Sequence, residues 1–154
     1  MKRTMSWQLK VAFSCYLLSL LLLIIFALVY LFRSEFMPYH ADAVGQSWVE
    51  VDPAFQILIS ALMKVTGGGW LATAFATGIL LFIPFRKGRR WAYWAIPFIG
   101  LSTSLTSLYA TIYVARNTPA SPPWMAAALG TILLVVGFIF SVAPEAKVKQ
   151  QEKS

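Results

Sequence analysis

The side chains best suited to chemistry lie in one short stretch, EFMPYHADAVGQSWVEVDP, which covers residues 35–53. It holds the chain's single histidine, His40, two residues before Asp42, and a second acidic pair, Glu50 and Asp52. Imidazole and carboxylate groups can bind a divalent cation or act as acid and base. A solvated, turn-rich loop explains the same residues more simply. We therefore keep these four as candidate ligand-binding residues and expect no catalytic residue, metal or cofactor.

A further candidate is Lys64, which interrupts the apolar run SALMKVTGGGWLATAF of residues 60–75. It precedes Arg86 by 22 residues, which corresponds to about 33 Å of helix and places it near the end of a membrane span. The simpler interpretation is an interfacial anchor whose amine reaches water or headgroups. The alternative is a lysine that pairs with an acid of the preceding loop and lines an outward-facing ligand site.

Three consecutive glycines, Gly67, Gly68 and Gly69, follow this lysine. Small residues let membrane helices approach closely, and two rows recur every four residues, one of Gly68, Ala72 and Ala76 and one of Gly69, Thr73 and Thr77. We therefore expect Gly68 to lie at a helix interface. The alternative is a local break in the helix that opens a ligand cavity, as broken helices do in transporters. On that alternative the three glycines are ligand-binding candidates together with the lysine.

Composition decides what kind of element must position these residues. Of 154 residues, 58% are hydrophobic and 12% are charged, whereas soluble domains are about 25% charged. The class is therefore an integral membrane protein. The single cysteine, Cys15, excludes an internal disulfide and a CxxC redox pair.

Four apolar runs are long enough to cross a bilayer, which takes about 20 residues. They cover about residues 11–32, 65–85, 91–114 and 124–143. We expect the first to be a retained span, because its 22 residues exceed the roughly 7–15 apolar residues of a signal peptide. The predicted fold is an all-α, four-transmembrane-helix bundle.

The distribution of charge predicts the orientation of this bundle. RKGRR, between the second and third runs, has four basic residues, and the first loop (residues 33–54) has four acidic residues against one arginine. Positively charged loops stay in the cytoplasm. Both termini are therefore predicted to be cytoplasmic and residues 33–64 to be extracytoplasmic. The net charge of +7 reflects this topology and contact with lipid headgroups, so we expect no nucleic-acid partner.

The first loop is predicted to fold into a small extracytoplasmic cap. VDPAFQ suits a helix start, with Asp52 as N-cap and Pro53 in the first turn. This helical extension of the second span is apolar outside the bilayer and needs cover. The loop supplies apolar side chains for it: Phe36, Met37, Tyr39, Val44, Trp48, Val49 and Val51.

The third span is rich in hydroxyl groups in IPFIGLSTSLTSLYATIY, residues 96–113. Such groups bond back to their own helix or across to a neighbouring helix, and they can also form a polar cavity wall. No acidic residue lies inside any predicted span. A membrane-embedded ionisable group usually marks a transport function, so this pattern disfavours a proton-driven pump.

The stretch VTGGGWLATAFATGILLFIPFRKGRRWAYWA, residues 65–95, resembles small bacterial four-helix membrane proteins of the DoxX-like kind. The resemblance lies in a glycine-rich helix start, a basic hairpin with glycine, and a following Trp-Ala. It implies a bacterial inner-membrane protein of about this length. It transfers no site residue.

Three functions remain open from the sequence. The first is a non-catalytic accessory or scaffold protein, which predicts a filled interior and a functional surface in contact with lipids, another membrane protein or a second copy of the chain. The second is an outward-facing binder or carrier of a small molecule or lipid, which predicts a cavity. The third is a membrane enzyme that uses the acidic loop. We expect a non-enzymatic role.

Overall fold

The computed structural model describes residues 5–151, with side chains described for residues 5–143. The helices in chain order are α1 (Trp7–Phe32), α2 (Pro38–Val44), α3 (Pro53–Leu80), α4 (Arg90–Asn117) and α5 (Trp124–Gln151). Within the described residues, four segments are long and apolar enough to cross a membrane: Trp7–Phe32, Pro53–Phe85, Arg90–Asn117 and Trp124–Ala143. The prediction of an all-helical chain with four such helices is confirmed, and the segments suggest a multi-pass membrane protein.

The start of α3 is where the sequence predicts it. The Asp52 side chain accepts a hydrogen bond from the backbone N–H of Ala54 at 2.8 Å. Pro53 occupies the first turn, where backbone N–H groups have no partner within the helix, so its lack of an N–H costs no hydrogen bond. The helix then runs without interruption through Gly67–Gly69 to Leu80. The glycines therefore do not break the helix.

The end of this second span differs from a continuous α-helix. Residues Leu81–Phe85 form a π-helical turn that contains Pro84. Proline has no N–H to donate to the preceding turn, so the α-helical pattern ends here. The backbone N–H of Arg89 donates to the Pro84 carbonyl at 3.0 Å. Gly88, at φ +68°, supplies the left-handed residue that reverses the chain into α4.

The four long helices do not pack equally against one another. Helix α1 contacts α3 and α5 extensively, and α4 contacts α5 almost as much. Helices α3 and α4 make far less contact, although a short hairpin joins them. The bundle therefore has three tight seams and one loose seam.

Close packing is concentrated at the hairpin end of the bundle. Tyr16, Leu81, Phe85 and Ile96 are fully buried there. The ring of Phe85 meets Tyr16 edge to face at 5.7 Å and Tyr93 at 5.1 Å between centroids. This end has the filled interior of an ordinary helix bundle.

The first loop folds over the opposite end. Phe36, Val51 and Met63 form a small buried cluster, and Met37, Trp48 and Ile59 pack against it. The predicted packing of the loop on the start of α3 is therefore present. Val44 and Val49 were also predicted to cover the start of α3, but they are 57% and 86% exposed and do not contribute to this packing.

Candidate functional site

Toward the first-loop end, the four long helices and the loop surround a cavity of about 530 Å³. Sites for small molecules span roughly 300–1,000 Å³, so the volume suits a ligand rather than a few waters. The lining runs from Val44 in α2 down to Leu20 and Leu134, which also belong to the closely packed core. The cavity therefore begins where close packing ends.

The outer end of the cavity is lined by aromatic rings, which we term the aromatic mouth: Tyr30, Phe36, Tyr39, His40 and Trp70. Ring centroids lie 4.3 Å apart for Tyr39 and His40 and 4.7 Å apart for Tyr30 and Trp70. The hydroxyl groups of Tyr30 and Tyr39 are hydrogen-bonded to each other. This contact ties α2 to α1 and fixes the side of the mouth that they form.

His40 is held as a neutral imidazole. Its Nδ1 accepts a hydrogen bond from the backbone N–H of Met37 at 3.3 Å, which caps α2. Burial lowers the pKa of His40 below its ordinary value, because the charged form would lose hydration among these rings. Burial likewise raises the pKa of Tyr39, and its bond to Tyr30 adds to that effect. The mouth is therefore uncharged at neutral pH.

The hydroxyl groups of α4 form part of the cavity wall. Ser107 and Thr111 line it, and each donates to the carbonyl four residues earlier, at 2.9 Å. Thr103 also lines it, and its hydroxyl lies 3.3 Å from that of Thr73 in α3. Bonding within the helix, contact between helices and a polar wall therefore occur together in this segment.

Two hydroxyl groups at the inner end of the cavity have no such partner. Within the described residues, the buried Oγ1 of Thr77 and Oγ of Ser104 make no hydrogen bond. Both residues line the cavity, as does Ser19 of α1. We call these three residues the hydroxyl floor. A buried hydroxyl without a partner costs about 1–3 kcal/mol, so the two unpartnered groups call for an explanation.

Charged side chains do not contribute to this site. Within the described residues, the lining of the cavity includes no Asp, Glu, Lys or Arg. It is predominantly apolar, with polar atoms supplied by hydroxyl groups and by His40. The arrangement can therefore hold an uncharged molecule and offers no counter-charge to an ion.

The glycines require a correction. A side chain at Gly68 or Gly69 would meet nothing within 4 Å, so the predicted interface at Gly68 is wrong. The close approach occurs at Gly67, where an added Cβ would lie 2.8 Å from the Ala27 carbonyl oxygen and 2.9 Å from the Leu31 nitrogen. The buried face of α3 consists of Met63, Gly67, Ala74 and Thr77. Of the two predicted rows it therefore includes Thr77 and leaves out Gly68 and Gly69.

Most of the other predicted site residues lie away from the cavity. Lys64 is exposed and is not among the lining residues. Asp42 is exposed, and Asp52 is occupied as the cap of α3. Glu50 accepts two 2.7 Å hydrogen bonds from Ser47, from the side chain and the backbone, which lower its pKa.

The structure thus brings His40 to the cavity and does not bring the acids to it. Within the described residues, no three His, Cys, Asp or Glu side chains are close enough together to hold a metal ion. Gly69 lies in a shallow groove on the outer surface of the loose seam between α3 and α4. Four side chains line both this groove and the cavity: Thr66, Trp70, Thr103 and Ser107.

Sequence reasoning missed Tyr30, Trp70, Thr77 and Ser104 as site residues. The hydroxyl-rich segment was the one signal that pointed to Ser104. Tyr30 and Trp70 resemble any interfacial aromatic residues in a membrane protein. Only the packing of α1 against α3 shows that they share one wall.

The chain was compared with known proteins by sequence family, by curated sequence and by structure. It matches no family model, no curated protein and no solved structure in those comparisons. The geometry of the site is therefore the basis for a proposed function.

Proposed function

We propose that the chain is a multi-pass membrane protein that binds a small, predominantly apolar molecule in the cavity between its helices. The observation that carries this proposal is the cavity of about 530 Å³, surrounded by all four long helices. A scaffold protein is expected to fill its interior, as this chain does at the hairpin end. The cavity favours the binder over the scaffold.

The environment of the cavity supports a ligand drawn from the membrane. Its lining is mostly apolar and uncharged, which suits a lipid or a lipid-soluble molecule. Between the cavity and the lipid-facing groove stand side chains that line both, including Trp70 and Thr103. We therefore assign exchange with lipid to the loose α3–α4 seam.

An enzymatic role has less support. Among the acids of the first loop, Glu50 and Asp52 form local hydrogen bonds and Asp42 is exposed to solvent. His40 faces aromatic rings. An acid–base pair needs two groups within hydrogen-bond reach of one substrate. The loop acids are instead suited to keeping this segment hydrated.

The proposed location is a bacterial inner membrane with both termini in the cytoplasm. This rests on the basic RKGRR hairpin and the acidic first loop, and it would open the cavity to the outer face. The DoxX-like resemblance stays a prediction.

The orientation is tested by cysteine labelling. In a Cys15→Ala background, an impermeant thiol reagent should label Ser47→Cys and spare Lys87→Cys in intact cells. The reverse pattern would refute this orientation.

The binding proposal is tested by filling the cavity. Ala127 lines it, whereas Ala72 is exposed and lines neither the cavity nor the groove. Each is replaced by tryptophan, and the protein is purified in a mild detergent. Native mass spectrometry should show a bound small molecule in the wild type and in Ala72→Trp, with about tenfold or greater loss of occupancy in Ala127→Trp.

Equal occupancy in the two variants would place the bound molecule on the outer surface and end the proposal. The thermal unfolding midpoint of each variant is measured alongside. A folded Ala127→Trp protein with an empty cavity is the supporting result.

A further inference from the structure

The hydroxyl floor differs from the other hydroxyl groups of α3 and α4. Thr73, Ser102, Thr106, Ser107 and Thr111 each donate to the carbonyl four residues earlier in their own helix. Within the described residues, Thr77 and Ser104 make no such bond, and both line the cavity. Among these neighbours, the two residues whose hydroxyl groups are left without a partner are thus residues that line the cavity.

The floor residues lie within about two helical turns of one another along the bundle axis. The contact between the Thr73 and Thr103 hydroxyls aligns α3 with α4. Thr77 lies one helical turn beyond Thr73 toward the hairpin, and Ser104 lies one residue beyond Thr103 in the opposite direction. At about 1.5 Å per residue, the two floor residues are therefore ~7.5 Å apart along the axis. On α1, Leu20 Cδ2 would lie 3.8 Å from a Cβ added at Gly78, which places Ser19 near the depth of Thr77.

The depth of the floor sets the chemistry that it can recognise. Thr77 is 4% exposed, and no charged side chain lines the cavity within the described residues. A serine or threonine hydroxyl donates one proton, and an unpaired buried donor gains most from an acceptor oxygen. An ionised head at this depth would find no counter-charge and would pay the full cost of desolvation.

We propose that the hydroxyl floor binds the uncharged oxygen acceptor of an amphipathic molecule, of the ester or ketone class, whose hydrocarbon chain extends toward the aromatic mouth. This inference rests on the proposed function. It adds the polarity of the ligand and the direction in which it lies. The polar group is buried in the middle of the bundle, and the apolar chain lies among the rings of Tyr30, Phe36 and Trp70.

Three probes of similar size separate the alternatives: methyl laurate, tridecane and laurate. Methyl laurate has an uncharged acceptor, tridecane has none, and laurate is ionised. Titration of the wild-type protein, followed by native mass spectrometry from one detergent, should give methyl laurate the lowest Kd. One hydrogen bond of ordinary strength corresponds to about a three- to tenfold advantage over tridecane.

Thr77→Val and Ser104→Ala remove the two unpartnered hydroxyls with little change of shape. Each should weaken methyl laurate about three- to tenfold and leave tridecane unchanged. The matched controls are Thr131→Val and Ser102→Ala. Their hydroxyls bond the Ala127 and Phe98 carbonyls, and neither residue lines the cavity. The controls should leave both affinities as they are.

The thermal unfolding midpoint without ligand provides an independent readout. Removing an unpartnered buried hydroxyl should not destabilise the protein, whereas Thr131→Val should lower the midpoint slightly because it loses a bond. A lower midpoint for Thr77→Val than for Thr131→Val would show that Thr77 is already bonded and would overturn the inference.

The binding results distinguish the two levels of the proposal. Equal Kd values for methyl laurate and tridecane, unaffected by Thr77→Val, would remove the hydroxyl floor as a recognition element and leave the apolar cavity function intact. Tightest binding of laurate would reject the uncharged class. If none of the probes binds, the cavity function fails, and this inference fails with it.

Discussion

Helix α3 presents two unlike faces to its neighbours. Toward α1 its backbone approaches so closely that an added Cβ at Gly67 would meet backbone atoms at 2.8 and 2.9 Å. Toward α4 its contacts are sparse, and a hydroxyl pair, Thr73 and Thr103, spans the gap at 3.3 Å. The α1–α3 seam is close because Gly67 has no side chain, and the α3–α4 seam is looser and is bridged by a hydroxyl pair.

The difference indicates how one bundle can be rigid and still hold a cavity. In lipid, helices associate through close packing and hydrogen bonds, since the surrounding chains are as apolar as the helix faces. The tight α1–α3 and α1–α5 seams provide packing. The bundle can therefore be stable without close packing at the α3–α4 seam. The first prediction addresses the α1 side of α3, the second addresses the aromatic mouth, and the third addresses the α4 side.

The largest effect is expected where the backbones touch. Gly67→Ala places a methyl group against the Ala27 carbonyl and the Leu31 nitrogen, which are backbone atoms and cannot rotate away. Overpacking of this kind costs about 1–3 kcal/mol. We expect a lower thermal unfolding midpoint in detergent.

Gly68→Ala is the matched control, because an added methyl there meets nothing within 4 Å. Alanine is the better helix former by about 0.5–1 kcal/mol, so this variant should be equal to or more stable than the wild type. If the two substitutions have the same effect, the α1–α3 seam is not as tight as described.

This pair of glycines also shows what the sequence can predict. The presence of a small-residue contact near residues 67–69 follows from composition, but its face does not. A period of four in Gly68, Ala72 and Ala76 is also produced by residues that face lipid. The buried set is instead spaced by four, seven and three from Met63 to Thr77, and it depends on which helix lies beside α3.

The fold was more predictable than the site, because the site also depends on which helices lie beside one another. Spans follow from local hydropathy, and the start of α3 follows from Asp52 and Pro53, which act on their own backbone. The cavity depends on contacts between distant segments, such as Tyr30 with Trp70. His40 was identified for its chemistry, although its position at the mouth follows from packing.

A medium effect is expected from His40, which lies beside Tyr30 of α1 in the aromatic mouth. Its folded pKa is below the ordinary value of 6.5, so the unfolded chain takes up more protons as pH falls through that range. The stability that it contributes is complete above about pH 6.5 and declines between there and the folded pKa. The thermal unfolding midpoint should therefore decrease as the pH is lowered from about 7.5 to about 5.

His40→Gln tests the source of that pH dependence. The glutamine side chain can accept the Met37 N–H in place of Nδ1 but does not titrate in this range. The midpoint of this variant should change less over the same interval. An identical pH profile in the two proteins would assign the effect to other groups.

The smallest effect is expected at the loose seam, between Thr73 and Thr103. Hydrogen bonds between membrane helices contribute about 0.6 kcal/mol on average, and the Thr73 hydroxyl also bonds the Gly69 carbonyl within its own helix at 2.9 Å. A double-mutant cycle of Thr73→Val and Thr103→Val should therefore give a coupling free energy of about 0.6 kcal/mol or less. The control cycle uses Ser102→Ala in place of Thr103→Val. The Ser102 hydroxyl donates to the Phe98 carbonyl of its own helix, so its loss should be additive with Thr73→Val. A coupling above about 1.5 kcal/mol would make the α3–α4 seam a principal fastening of the bundle, and the contrast between the two faces of α3 would then be lost.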